Sequence, residues 1–183
     1  MARLPDINPK KYTPEQAAVA KAITSGPRGE VRGPFKMLMH NPKAADAVQR
    51  MGAYLRFDGV IDGRLRELAI LITARHWTSQ YEWFAHAPIA EKEGLDSAII
   101  AALAKRQNPR FKNKDERIIY NFVTDLHTKY KVGKANYAAA QKLLGKAGVV
   151  ELIVLCGHYT VVSMVLNGFE VEIPGGKKPL KGR

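Results

Sequence analysis

Apolar residues recur at intervals of three and four along most of the 183-residue chain, and no alternating run of β-branched positions is long enough to build a sheet. The pattern predicts an all-α protein. Thr13-Pro14-Glu15 supplies an N-cap, a first-turn proline and a first-turn acid for a helix that Ser25-Gly26-Pro27 stops. A Gly/Arg loop leads to a short apolar patch, Phe35, Met37, Leu38 and Met39, before Asn41-Pro42 opens a helix expected to reach about Arg56. Asp62 can cap the next helix, Arg64 to Trp77. It carries two apolar stripes: Leu65, Leu68, Ala69 and Ile72 on one side, and Ile70, Leu71 and Ala74 roughly opposite. A helix apolar on two sides lies between layers, so Glu67, which falls on the second stripe, is expected to be shielded from water.

Ser79 is the natural N-cap of the following helix and Gly94 its stop. Pro88 inside this helix should remove a backbone bond and kink the axis one turn from His86. Asp96 caps a short helix ending near Arg106, and Asp115 to Tyr130 sets Ile118, Ile119, Phe122, Val123 and Leu126 on one side before Gly133. Asn136 to Leu144 and Val149 to Leu166 form the last two helices. The latter is apolar nearly all round, yet Glu151, Gly157 and His158 interrupt it and it barely reaches the roughly 18 residues of a membrane span. It reads as a buried helix whose surplus apolar face predicts a homo-oligomer. The chain is expected to form a single domain over 1–183, with an extended arm over 1–13 and a flexible basic tail over 174–183.

Hydrophobic residues make up 46% of the chain, enough for a well-formed core. The single Cys156 excludes an internal disulfide, and Met1 to Lys11 has no apolar signal segment, so a cytoplasmic protein is expected. The net charge is +12, with clusters at Lys105, Arg106, Arg110, Lys112 and Lys114 and at Lys177, Lys178, Lys181 and Arg183. Such basicity suits nucleic acid, an anionic membrane surface or a small anionic substrate. The clusters lack interleaved aromatics or a nucleic-acid motif, which argues against the first. The expected partner is a small anionic substrate.

Candidate chemistry concentrates between Glu67 and His86. Glu82 and His86 stand one helical turn apart, where a carboxylate can fix an imidazole tautomer for acid/base work. The same pair can simply satisfy two polar groups, and a lone glutamate on an apolar face is often rescued by an arginine from a neighbouring helix. Three titratable groups on consecutive helices joined by a tight turn favour chemistry. Glu67, Glu82 and His86 are also acceptable iron or zinc ligands, but no second histidine stands at ligand spacing, so no metal is expected. His158 on the apolar helix reads as a core histidine, and Trp83 and Phe84 as packing or pocket wall.

The runs Arg66-Glu67-Leu68-Ala69-Ile70-Leu71, Tyr81-Glu82-Trp83 with His86, and Gly157-His158-Tyr159 leading to Asn167-Gly168-Phe169-Glu170-Val171 resemble a Cys-less branch of the carboxymuconolactone decarboxylase and alkylhydroperoxidase D-like superfamily. The resemblance covers nearly the whole chain. It implies an all-helical, alkylhydroperoxidase D-like domain assembled as a trimer or hexamer, or as a dimer, with sites near the subunit contact. In the hydroperoxidase branch a glutamate precedes a Cys-x-x-Cys pair that encloses a relay histidine, and a second histidine follows four residues later. The glutamate falls on Glu67 and the last histidine on His86. The cysteines fall on Ser79 and Glu82 and the relay histidine on Tyr81, all of which differ.

That departure removes the thiol chemistry, since neither serine nor glutamate can form and resolve a sulfenic acid. What the resemblance then implies is a cofactor-independent lyase of the decarboxylase type acting on a small carboxylated lactone or related anion. Loss of carbon dioxide leaves an enolate-like carbanion that needs a proton donor and a pocket tolerant of negative charge. Glu67 and His86 are assigned proton transfer, Glu82 the orientation of His86, and Ser79, Tyr81 and Trp83 substrate binding, with Arg64 or Arg75 as the partner of the substrate carboxylate. Two alternatives stand beside it. One is a non-enzymatic ligand-binding or scaffold member of the fold; the other is a peroxiredoxin-like peroxidase that does not use the usual cysteine pair.

Overall fold

The computed structural model describes residues 2–176 and 178–182; Met1 of the expected arm and Lys177 and Arg183 of the expected basic tail lie outside the described residues. Among the described residues helices are the only regular structure. The α-helices are α1 (Pro14–Thr24), α2 (Pro34–Leu38), α3 (Pro42–Ala53), α4 (Gly63–His76), α5 (Gln80–Lys92), α6 (Ser97–Ala104), α7 (Lys114–Lys129) and α8 (Lys134–Gly168), with a 3-10 turn at Pro9–Lys11 before them. The chain falls into two compact units, one of residues 1–59 with 164–172 and one of 60–163 with 173–183.

Capping sets the helix starts. The Thr13 hydroxyl accepts from the Gln16 amide while the Gln16 side chain accepts from the Thr13 amide, and Asn41 and Asp62 accept from Ala44 and Leu65 in the same way. In the first unit, Val19 and Ile23 of α1 pack with Phe35, Met39 and Ala45, with Tyr12, Val31 and Val48 around them. The apolar patch after the Gly/Arg loop is itself helical, α2, and α3 ends in a π-helical turn, Tyr54–Asp58.

In the second unit α4 is the central element, packed against α5, α6 and α7. Both of its stripes are buried, as the double pattern requires, and so is Glu67 on the second. Removing one such side chain, Leu68→Ala, would cost about 2–5 kcal/mol by transfer plus cavity. The start of α4 is tied down from α8: the buried Glu151 carboxylate accepts the backbone N–H groups of Val60 and Ile61 at 2.9 and 3.0 Å. Helix α5 runs through Pro88.

Helix α8 is two helices joined at Gly145, whose φ of 69° and ψ of 179° break the helical path where glycine is tolerated best. By length and hydropathy it qualifies as a membrane span, and 56% of its most apolar window is buried inside the protein. Its outward side carries Val150, Ile153, Val154 and Val161, all exposed. Residues 178–182, within the expected basic tail, include one anchored position. Leu180 is only 3% exposed, and its backbone N–H and carbonyl pair with the two ends of the Gln80 amide at 2.9 and 2.8 Å.

Candidate functional site

The turn Trp77–Ser79 between α4 and α5 folds the two helices against each other and brings Glu67, Glu82 and His86 together. They are 1%, 4% and 5% exposed. His86 Nδ1 donates to Glu67 Oε2 at 2.7 Å, and His86 Nε2 lies 3.4 Å from Glu82 Oε2. The tautomer follows from these partners. The imidazole is bracketed by carboxylates on both nitrogens, and Tyr159 of α8 meets it edge to face at 5.0 Å and 88°.

The geometry sets a second carboxylate beside the pair read from spacing. The spacing assigned the orientation of His86 to Glu82, whereas the short bond to Nδ1 comes from Glu67, nineteen positions away. Glu67 therefore fixes the ring and leaves Nε2, next to Glu82, as the nitrogen that can exchange a proton with a third party.

A cation also belongs to the group, and sequence reasoning passed it over. Arg66 Nε lies 3.7 Å from Glu67 Oε1, and that nitrogen is buried without a hydrogen-bond partner among the described residues. Neighbouring helical positions do not ordinarily face each other, so nothing in the spacing singled Arg66 out. The two arginines expected to meet a substrate carboxylate are elsewhere. Arg64 is held by Asp115 and Glu116, and Arg75 lies eight positions past Glu67, about 12 Å along α4.

The three expected substrate contacts fare differently. Ser79 is the N-cap of α5, as expected, although its side chain makes no capping bond. Its Oγ is buried with no hydrogen-bond partner among the described residues. Trp83 is buried in the core, and Tyr81 is half-buried with its ring tilted against the exposed Phe84. Cys156 is buried, and burial pushes its thiol up to about 12, so it is no thiolate at neutral pH. His158 is buried edge-on to Tyr159.

Among the described residues no group of three or more His, Cys, Asp or Glu side chains is disposed to hold a metal ion. A groove of about 320 Å³ lies in the first unit, lined by Glu15, Ala18, Val19, Pro42, Lys43 and Asp46, and contains none of the residues above. No protein-family model, curated protein or solved structure matches the chain.

Proposed function

We propose that the chain is a Cys-less member of the carboxymuconolactone decarboxylase and alkylhydroperoxidase D-like superfamily and acts as a cofactor-independent lyase on a small carboxylated lactone or related anion. The observation that carries this reading is the buried 2.7 Å contact between His86 and Glu67 with Glu82 on the other ring nitrogen. As the bond to the departing carboxylate breaks, its electron pair passes into the conjugated lactone. His86 Nε2, which carries a lone pair while Nδ1 holds the ring proton, takes a proton from the Glu82 carboxyl and passes it to the carbanion, and solvent reprotonates Glu82 after each turnover. Glu67 holds the ring in register, Arg66 is the counter-ion for the substrate carboxylate, and the Ser79 hydroxyl, without a partner among the described residues, suits the lactone oxygen. The buried, high-pKa thiol of Cys156 argues against the peroxidase alternative.

The test is carbon dioxide release from a carboxylated muconolactone. Wild type is expected to turn it over, and Glu67→Gln and His86→Asn are expected to stay folded while losing at least about 100-fold, the usual contribution of a positioned acid or base. No release by wild type, or unchanged rates in both variants, would sink the reading. One observation favours a second: Arg66, Glu67, His86 and Glu82 can balance one another's charge and join α4 to α5 without chemistry. In that non-enzymatic case the two variants lose stability and no substrate is found.

Assembly follows the same line. The exposed stripe Val150, Ile153, Val154 and Val161 recurs on one side of α8 and bears no charge that would select a foreign partner. A second copy of the chain, which presents the same stripe, is its proposed cover.

A further inference from the structure

A second polar cluster lies at the other end of α4, where the α4–α5 turn, the end of α6 and residues 178–182 meet. Arg75 Nη1 and Arg106 Nη2 both donate to the Thr78 hydroxyl oxygen, at 3.0 and 3.2 Å. Arg75, 5% exposed, spends its remaining described bonds on the backbone carbonyls of Ala104 and Lys181. Every one of these acceptors is neutral. Residues 73–81, 102–110 and 178–182 contain no aspartate or glutamate at all, and among the described residues neither guanidinium has a carboxylate partner.

The partial charges of helix ends offset part of the charge. The carbonyl ends of α4 and α6 carry about half a negative charge each, and the amino end of α5 returns about half a positive one. Among the described residues, two full guanidinium charges therefore remain more than one unit in excess, before the nearby Lys105 and Lys181 are counted. The excess is felt locally: burial first, and the Arg106 charge second, lower the pKa of both Arg75 and His76. The protein also holds unfavourable backbone here. Thr78 and Arg106, the residues that meet, have φ of 47° and 57°, left-handed values that are strained for a β-branched threonine in particular.

We propose that this cluster is a binding site for a phosphoryl group, as free phosphate or on a small phosphomonoester. The donor set fits that chemistry. Thr78 Oγ1 accepts two N–H groups with its two lone pairs, which leaves its own proton to donate outward. Arg75 keeps two N–H groups without a described acceptor, and the exposed Arg106 keeps four, enough for a forked contact with a tetrahedral oxyanion. A dianion would neutralise the excess that the fold leaves unbalanced. The site stands about 12 Å along α4 from Glu67 and does not depend on any reaction at His86.

The probe is inorganic phosphate, titrated against the whole protein at neutral pH with sodium chloride at matched ionic strength as the control. The readouts are phosphorus NMR line broadening and the thermal midpoint. Phenyl phosphate in a parallel titration separates a monoester from the free ion. The expected result is a saturable response to phosphate beyond that to chloride, weakened at least tenfold in Arg106→Gln, whose exposed side chain the fold does not need. Thr78→Gly, which removes the hydroxyl that both arginines share, should weaken the phosphate response. A wild-type response no larger than that to chloride overturns the proposal, as does an undiminished response in both variants.

Discussion

Lowering the pH from 7 to 4.5 should destabilise the fold chiefly through one histidine. His127 of α7 stacks on His76 with ring centroids 4.6 Å apart and an interplanar angle of 16°, and its Nε2 meets the Thr73 hydroxyl at 2.9 Å. That hydroxyl already donates to the Ala69 carbonyl, so His127 must be the donor in the pair, and a second proton would have to sit on the remaining nitrogen. Burial, and secondarily His76, push His127 from 6.5 down to about 4. The sign follows. The unfolded chain takes up the proton near pH 6.5 while the folded protein refuses it until about pH 4, so stability is complete above the first value and drains away below it. At ~1.4 kcal/mol per pH unit, discounted because the ring is partly solvated, the loss by pH 4.5 is about 2 kcal/mol. Urea unfolding followed by circular dichroism at half-unit pH steps measures it. His127→Gln keeps a donor for Thr73 and removes the titration, so its stability should fall less over the same range, by about that amount. Parallel curves for the two proteins would refute the argument.

Three further outcomes are expected. Cys156, with its thiol held at about 12, should resist alkylation by iodoacetamide at pH 8 in the folded protein and react promptly once urea exposes it; labelling at equal rates in both states would contradict its burial. Gln80→Ala removes both bonds to Leu180 and should free the 178–182 segment for proteolysis while costing about 1–2 kcal/mol, read by limited trypsin digestion and thermal melting. Val154→Glu should reduce the mass measured by light scattering to that of a single chain with helicity unchanged, and an unchanged mass would remove the second copy from the α8 stripe.

What could be read from the sequence was what local chemistry decides. Thr13, Asn41 and Asp62 cap helices because each cap bond closes within three residues, and the two stripes of α4 specified burial of Glu67 before any partner was known. The convergence of Glu67 with His86 could be anticipated because a three-residue turn leaves two helices little choice but to pack side by side. The parts that escaped are long-range or depend on rotamers. Leu180 finds Gln80 across a hundred positions, Ser79 occupies a cap position without using its hydroxyl, and Arg66 reaches Glu67 by a side-chain path that helical spacing does not encode. The meeting of Arg75 with Arg106 at Thr78 joins three segments, none of which is unusual alone.

Gly145 makes the last helix tolerant of length change on one side only. Because the helical path is already interrupted there, an extra residue inserted just before it lengthens the preceding segment without turning the one that follows. The same insertion two turns later would rotate everything beyond it by about 100°. It would swing Tyr159 off the His86 ring and Thr160 off the Trp77 indole N–H, while Glu151, upstream of the insertion, would still hold Val60 and Ile61. Natural variation in chain length should therefore collect at Gly145 and be absent between Glu151 and Tyr159.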